Sequence, residues 1–78
     1  MDRLAKKTFL HRGHRVTVAH WTDGAKFFAR AEIHQAEALV CVLSRSGTLE
    51  RAPKLLASLH AAAIKWAGHH EAGGRRPA

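Results

Sequence analysis

Ala38-Leu39-Val40-Cys41-Val42-Leu43-Ser44 is the one stretch of this 78-residue chain in which six apolar side chains follow one another without a charge. A run of that length, rich in β-branched residues, predicts a strand buried on both faces. An ordinary antiparallel strand in a small domain alternates apolar and polar side chains, so a strand of this kind needs cover on a second side.

The segments before it supply the first side. His14-Arg15-Val16-Thr17-Val18-Ala19-His20-Trp21 places Val16, Val18 and His20 against Arg15, Thr17, Ala19 and Trp21, a period of two that reads as a strand. Asp23-Gly24 follows, the preferred pair for a tight type I′ hairpin. The chain then returns through Lys26 to Ile33, with Phe27, Ala29, Ala31 and Ile33 on one side and Phe28, Arg30 and Glu32 on the other. Two alanines in the middle of the apolar side leave a shallow groove where a helix backbone can come close. His34-Gln35-Ala36-Glu37 is a polar connection to the third strand. Gly13 marks a bend or bulge between the short lead Thr8 to His11 and the first strand.

Beyond Ser46-Gly47-Thr48 the chain is rich in alanine and leucine. Thr48 or Ser46 is the expected N-cap, and Glu50 suits the positive end of the helix dipole. Pro53 lacks a backbone donor and is tolerated only in a first turn, which sets the main helix at 53–67, with Gly68 as its stop. At 100° per residue, Ala52, Leu55, Leu56, Leu59, Ala63, Trp66 and Ala67 share one face. The expected fold class is therefore α+β. A three-stranded antiparallel meander carries one C-terminal helix on one face (βββα) over residues 8–68, flanked by a flexible lead-in (1–7) and a disordered tail (69–78).

One helix covers one face. The helix side of the sheet takes Val16, Val18, Phe27, Ala29, Ala31 and Ile33, completed by either Leu39, Cys41 and Leu43 or Val40 and Val42, according to a one-residue register. The outer face receives Arg15, Thr17, Trp21, Phe28, Arg30 and Glu32.

Thirteen Lys and Arg against six Asp and Glu give a net charge of +7, spread along the whole chain. A basic surface attracts nucleic acid, anionic membrane or acidic protein through one long-range field. Nucleic acid or another polyanion is the first expected partner, contacted by Arg15 and Arg30 on the open face with Arg12 and Arg45 at the strand ends. The second expectation is a homodimer that buries Phe28, Val40 and Val42, because an exposed apolar edge strand otherwise invites aggregation. Protonating all seven histidines would raise the charge from +7 to +14 and tighten binding to a polyanion.

Other classes find little support. No paired carboxylates, nucleophile with its base, or glycine-rich phosphate loop is present, so neither an enzyme nor a small-molecule substrate is expected. His11, His14, His20, His34, His60 and the pair His69-His70 lack the i, i+4 spacing or cysteine partners of a zinc site, and no metal or cofactor is implied. Cys41, the single cysteine, is expected to be a small core residue. Without an apolar leader or a run of ~18 apolar residues, a cytoplasmic protein free of the membrane is expected.

Gly13-His14-Arg15-Val16, the Ala-Arg-Ala-Glu-Ile of residues 29–33 and a terminal helix closing on Ala-Ile-Lys-Trp at 63–66 resemble a group of short uncharacterised bacterial proteins with a strand-strand-strand-helix layout. The layout over residues 8–68 is also similar to the sheet-reading DNA-binding domains of plant AP2-type factors and of integrase arm-binding modules. That likeness implies DNA contacts from basic and aromatic residues on the open sheet, here Arg15 and Arg30. The dense Arg and Trp pattern of those families is missing.

Overall fold

The computed structural model describes residues 4–69. Four strands, β1 (Ala5–His11), β2 (His14–Asp23), β3 (Lys26–Gln35) and β4 (Ala38–Thr48), form one antiparallel meander in chain order. A single 3-10 turn, Leu49–Arg51, leads into helix α1 (Ala52–His69). The α+β class and the meander stand, but the expected three-stranded sheet is corrected to four.

The added strand is β1. Its residues Ala5, Lys7, Phe9 and His11 pair with His20, Val18, Val16 and His14. Only Phe9 among the inward-pointing residues is strongly apolar, and Lys7 points to the helix side at the sheet edge, where its long stem reaches water. The weak alternation of Ala5-Lys6-Lys7 hides a strand that pairing with β2 creates. Of the expected lead-in, residues 5–7 belong to β1 and 1–3 lie outside the described residues. The expected tail likewise lies outside them, apart from His69, the last residue of α1. Gly68 lies within the helix rather than stopping it.

All three hairpins have two-residue loops. Arg12 and Gly13 both take positive φ (51° and 81°), so Gly13 belongs to a tight turn of the type I′ kind rather than a bulge. In the second, Asp23 pairs with Lys26 and the loop is Gly24-Ala25, with positive φ at Gly24 alone. That is the pattern of a type II′ turn, with glycine at its first central position, in place of the expected type I′. In the third, Ala36 (φ 48°) and Glu37 (φ 77°) occupy left-handed positions that glycine or asparagine would take more cheaply.

The core lies between α1 and one face of the sheet. Val16, Phe27, Ala29, Ala31, Ile33, Leu59 and Ala63 are buried, joined by Val18 and at the helix end by Ala67. Ala29 and Ala31 share the buried cluster with Leu59, which is fully buried; truncating such a leucine to alanine costs about 2–5 kcal/mol. Gly47 lies close to the helix, since a Cβ there would stand 3.0 Å from Leu55 Cδ1. Pro53 occupies the first turn of α1, as its missing donor requires. Thr48 makes no side-chain cap; instead the Leu49 amide donates to the Ala25 carbonyl at 2.9 Å, tying the helix entrance to the β2–β3 turn.

Register settles which side of residues 38–44 meets the helix. Ile33 faces Cys41 and Ala31 faces Leu43, so Cys41 and Leu43 are half-buried against the core. Between Ile33 and His34 the register slips by a bulge, after which His34 pairs with Leu39. The bulge returns Leu39 to the open face beside Val42 and leaves Val40 exposed as well. Residues 38–44 are thus an edge strand covered on one side only.

Candidate nucleic-acid interface

Cross-strand partners share a face, so the register writes the open surface as rows. One row runs Lys6, Ala19, Arg30, Ser44; the next Thr8, Thr17, Glu32, Val42; the outermost Leu10, Arg15, His34, Leu39. On the other side of the Arg30 row, Trp21, Phe28 and Ser46 stand in line. The six residues expected on this face, Arg15, Thr17, Trp21, Phe28, Arg30 and Glu32, are all there.

Trp21 and Phe28 stack, with ring centroids 5.8 Å apart and planes 17° from parallel. They border a shallow hollow of about 240 Å³ whose remaining wall includes Arg30, Ser44 and Ser46. Arg30 is half-exposed and forms an ion pair of 3.1 Å with Glu32, an arrangement worth little at such exposure. Thr8 and Thr17 share a hydroxyl hydrogen bond of 3.1 Å. On these rows three cations, Lys6, Arg15 and Arg30, face one carboxylate.

The four arginines singled out from the sequence do not share one surface. Arg45 points to the helix side, where its Nε donates to Ser58 Oγ at 3.1 Å and its guanidinium also reaches the Ser44 carbonyl at 2.8 Å. Arg12, in the first turn, extends toward Gly68 at the end of α1. Arg15 and Arg30 remain together on the open face. Lys6, Thr8, Ser44 and Ser46 complete it and were not singled out from the sequence: Lys6 and Thr8 belong to the strand whose alternation is weak, and the two serines carry no signal until the register places them.

Of the residues expected at a dimer interface, Phe28 is half-buried in the aromatic stack, while Val40 and Val42 are exposed at 41% and 43% beside Leu39 at 51%. Trp66 and Phe9 belong to the helix side. Trp66 meets His14 edge-on at 5.7 Å, and Phe9 lies 4.9 Å from the His60 ring. His14 is completely buried, with neither ring nitrogen bonded among the described residues. Burial raises the Cys41 thiol above its usual value by desolvation. Among the described residues, no group of three His, Cys, Asp or Glu is placed to hold a metal ion. No helix there is long and apolar enough to cross a membrane.

No family model, curated protein or solved structure matches this chain.

Proposed function

We propose that this protein is a nucleic-acid-binding module that lays single strands across the open face of its sheet. The observation that carries the reading is the stacked Trp21–Phe28 pair beside Arg30 and two serine hydroxyls. A half-buried aromatic pair next to a guanidinium suits an unstacked base and its phosphate, because every base has a π-face and every nucleotide a negative charge. Width favours single strands. Four strands at ~4.8 Å make a face about 19 Å across, wider than a major groove of ~12 Å that admits a helix or a two-stranded ribbon. The net charge of +7 supports attraction to any polyanion.

Fluorescence anisotropy with a labelled mixed-sequence DNA oligonucleotide tests the proposal. Trp21→Ala or Phe28→Ala should each cost about 1–3 kcal/mol of binding through lost stacking. Arg15→Ala should flatten the salt dependence by roughly 0.7 in log–log slope for each phosphate contact removed. Glu32→Gln, which releases Arg30 from its carboxylate, should tighten binding. Binding indifferent to all four substitutions, with unchanged melting temperatures, would sink the idea.

A second reading rests on a separate observation. β4 is an eleven-residue edge strand that exposes Leu39, Val40 and Val42 together, and such an edge is a template for pairing with a second copy. Sedimentation decides it: a dimer that Val42→Lys splits into monomers supports edge pairing, and a monomer at high concentration removes it.

A further inference from the structure

The helix side of the sheet is covered unevenly. α1 lies mainly along β3 and β4, and the inner side chains of β2, His14, Val16 and Val18, are buried as well. The uncovered berth therefore runs along β1 and the flank of α1. That berth is an open groove of about 910 Å³. Phe9 and Val18 form its floor, Leu56 and Ile64 line the α1 wall, and Lys7 and Lys65 stand on its rim. From Leu56 to Lys65 the wall runs about 14 Å at 1.5 Å per residue, room for roughly three turns of a neighbouring helix.

From this shape and charge we infer that the groove receives an amphipathic helix of a partner protein, its apolar stripe on Phe9, Leu56 and Ile64 and its flanks acidic. The charge selects the occupant. Among the described residues none that lines the groove is acidic, whereas Lys7 and Lys65 line it together with His20 and His60, and Lys6 borders it at the sheet edge. The α1 of a second copy has the wrong sign, because its charged residues, Lys54 and Lys65, are both basic and would meet the lysine rim. Glutamates bordering a leucine stripe would meet it favourably, in the helix-in-groove mode of recognition. The groove lies on the opposite side of the sheet from Trp21, Phe28 and Arg30, so both faces can be occupied at once. That makes the module an adaptor between a polyanion and an acidic helix.

The test uses the full chain and two synthetic helical peptides of about 18 residues, long enough to hold helical structure. Both carry the same leucine stripe, one flanked by glutamates and the other by lysines. In calorimetry at low salt the acidic peptide should bind at least about tenfold tighter than the basic one, with the gap narrowing as salt screens the rim. Ala61→Glu, at an exposed position lining the groove, should abolish acidic-peptide binding without lowering the melting temperature. The double change Lys7→Glu with Lys65→Glu should reverse the preference toward the basic peptide. Equal binding of both peptides, binding of neither, displacement of the acidic peptide by laurate, or a dimer of the free protein that Ala61→Glu dissociates would each overturn the proposal.

Discussion

The β3–β4 turn offers the sharpest check on how this fold is held. Ala36 and Glu37, both exposed, form its entire loop with φ of 48° and 77°. A left-handed conformation costs an L-residue other than glycine about 1–2 kcal/mol, and asparagine visits it more readily than alanine. Glu37→Gly recovers that cost but loses about 0.5–1 kcal/mol to the greater freedom of glycine in the unfolded chain, for a net gain of ~0.5–1 kcal/mol. Ala36→Asn should add about 0.5 kcal/mol. The pair should therefore stabilise the protein by about 1–1.5 kcal/mol, which for a domain of this size raises the melting temperature by roughly 5–10 °C. The β2–β3 turn supplies the control, because there only Gly24 has positive φ and Ala25 does not. Ala25→Gly should lower stability by about 0.5–1 kcal/mol. Thermal and urea denaturation followed by circular dichroism measure both. If the two glycine substitutions shift stability in the same direction, the assignment of turn geometry is wrong.

Three further outcomes follow from single residues. His14 is buried with both nitrogens unbonded among the described residues, a cost of about 1–3 kcal/mol, against ~0.5–1.5 kcal/mol for its edge-on contact with Trp66; His14→Leu should therefore raise the urea midpoint, and a loss beyond ~1 kcal/mol would show that the ring has a partner. Gly47→Val, pressed against Leu55, should cost about 1–3 kcal/mol in the same assay, whereas Gly47→Ala should cost much less because the Leu55 methyl can turn away. The Cys41 thiol is raised by burial, so fewer thiolates are present in the folded protein at a given pH. Its alkylation by iodoacetamide should reach half-maximal rate at a higher pH than in urea-unfolded protein, and equal profiles would count against its desolvation.

Local sequence carried the middle of this fold well. The alternation of His14 to Trp21 and of Lys26 to Ile33 placed Val16, Val18, Phe27, Ala29, Ala31 and Ile33 under the helix, and the stripe of Leu59, Ala63 and Trp66 identified the face that covers them. Pro53 positioned the helix start for a reason internal to its own ring. Arg15, Trp21, Phe28 and Arg30 followed on the open face from the same period of two. These features depend on neighbours two to four residues away, which a sequence displays directly.

The rest depended on contacts between distant segments. β1 exists because residues 5–11 find β2 across a two-residue turn, although Lys7 breaks their apolar alternation. Arg12 left the arginine group because it lies in the first turn and extends toward Gly68, and Arg45 because its strand position and a hydrogen bond to Ser58 turn it toward the helix. The stretch Ala38 to Ser44 shows the division most clearly. Its composition alone marked it as a strand needing cover. Pairing with Ile33 and Ala31 turned Cys41 and Leu43 inward and Val42 outward, and a bulge at Ile33/His34 left Leu39 and Val40 outside as well. A one-residue slip exchanges the two faces of a strand, and a run that is apolar at every position holds no internal preference between them. The pairing partner made that choice, as the placement of α1 over β3 and β4 made the groove beside it.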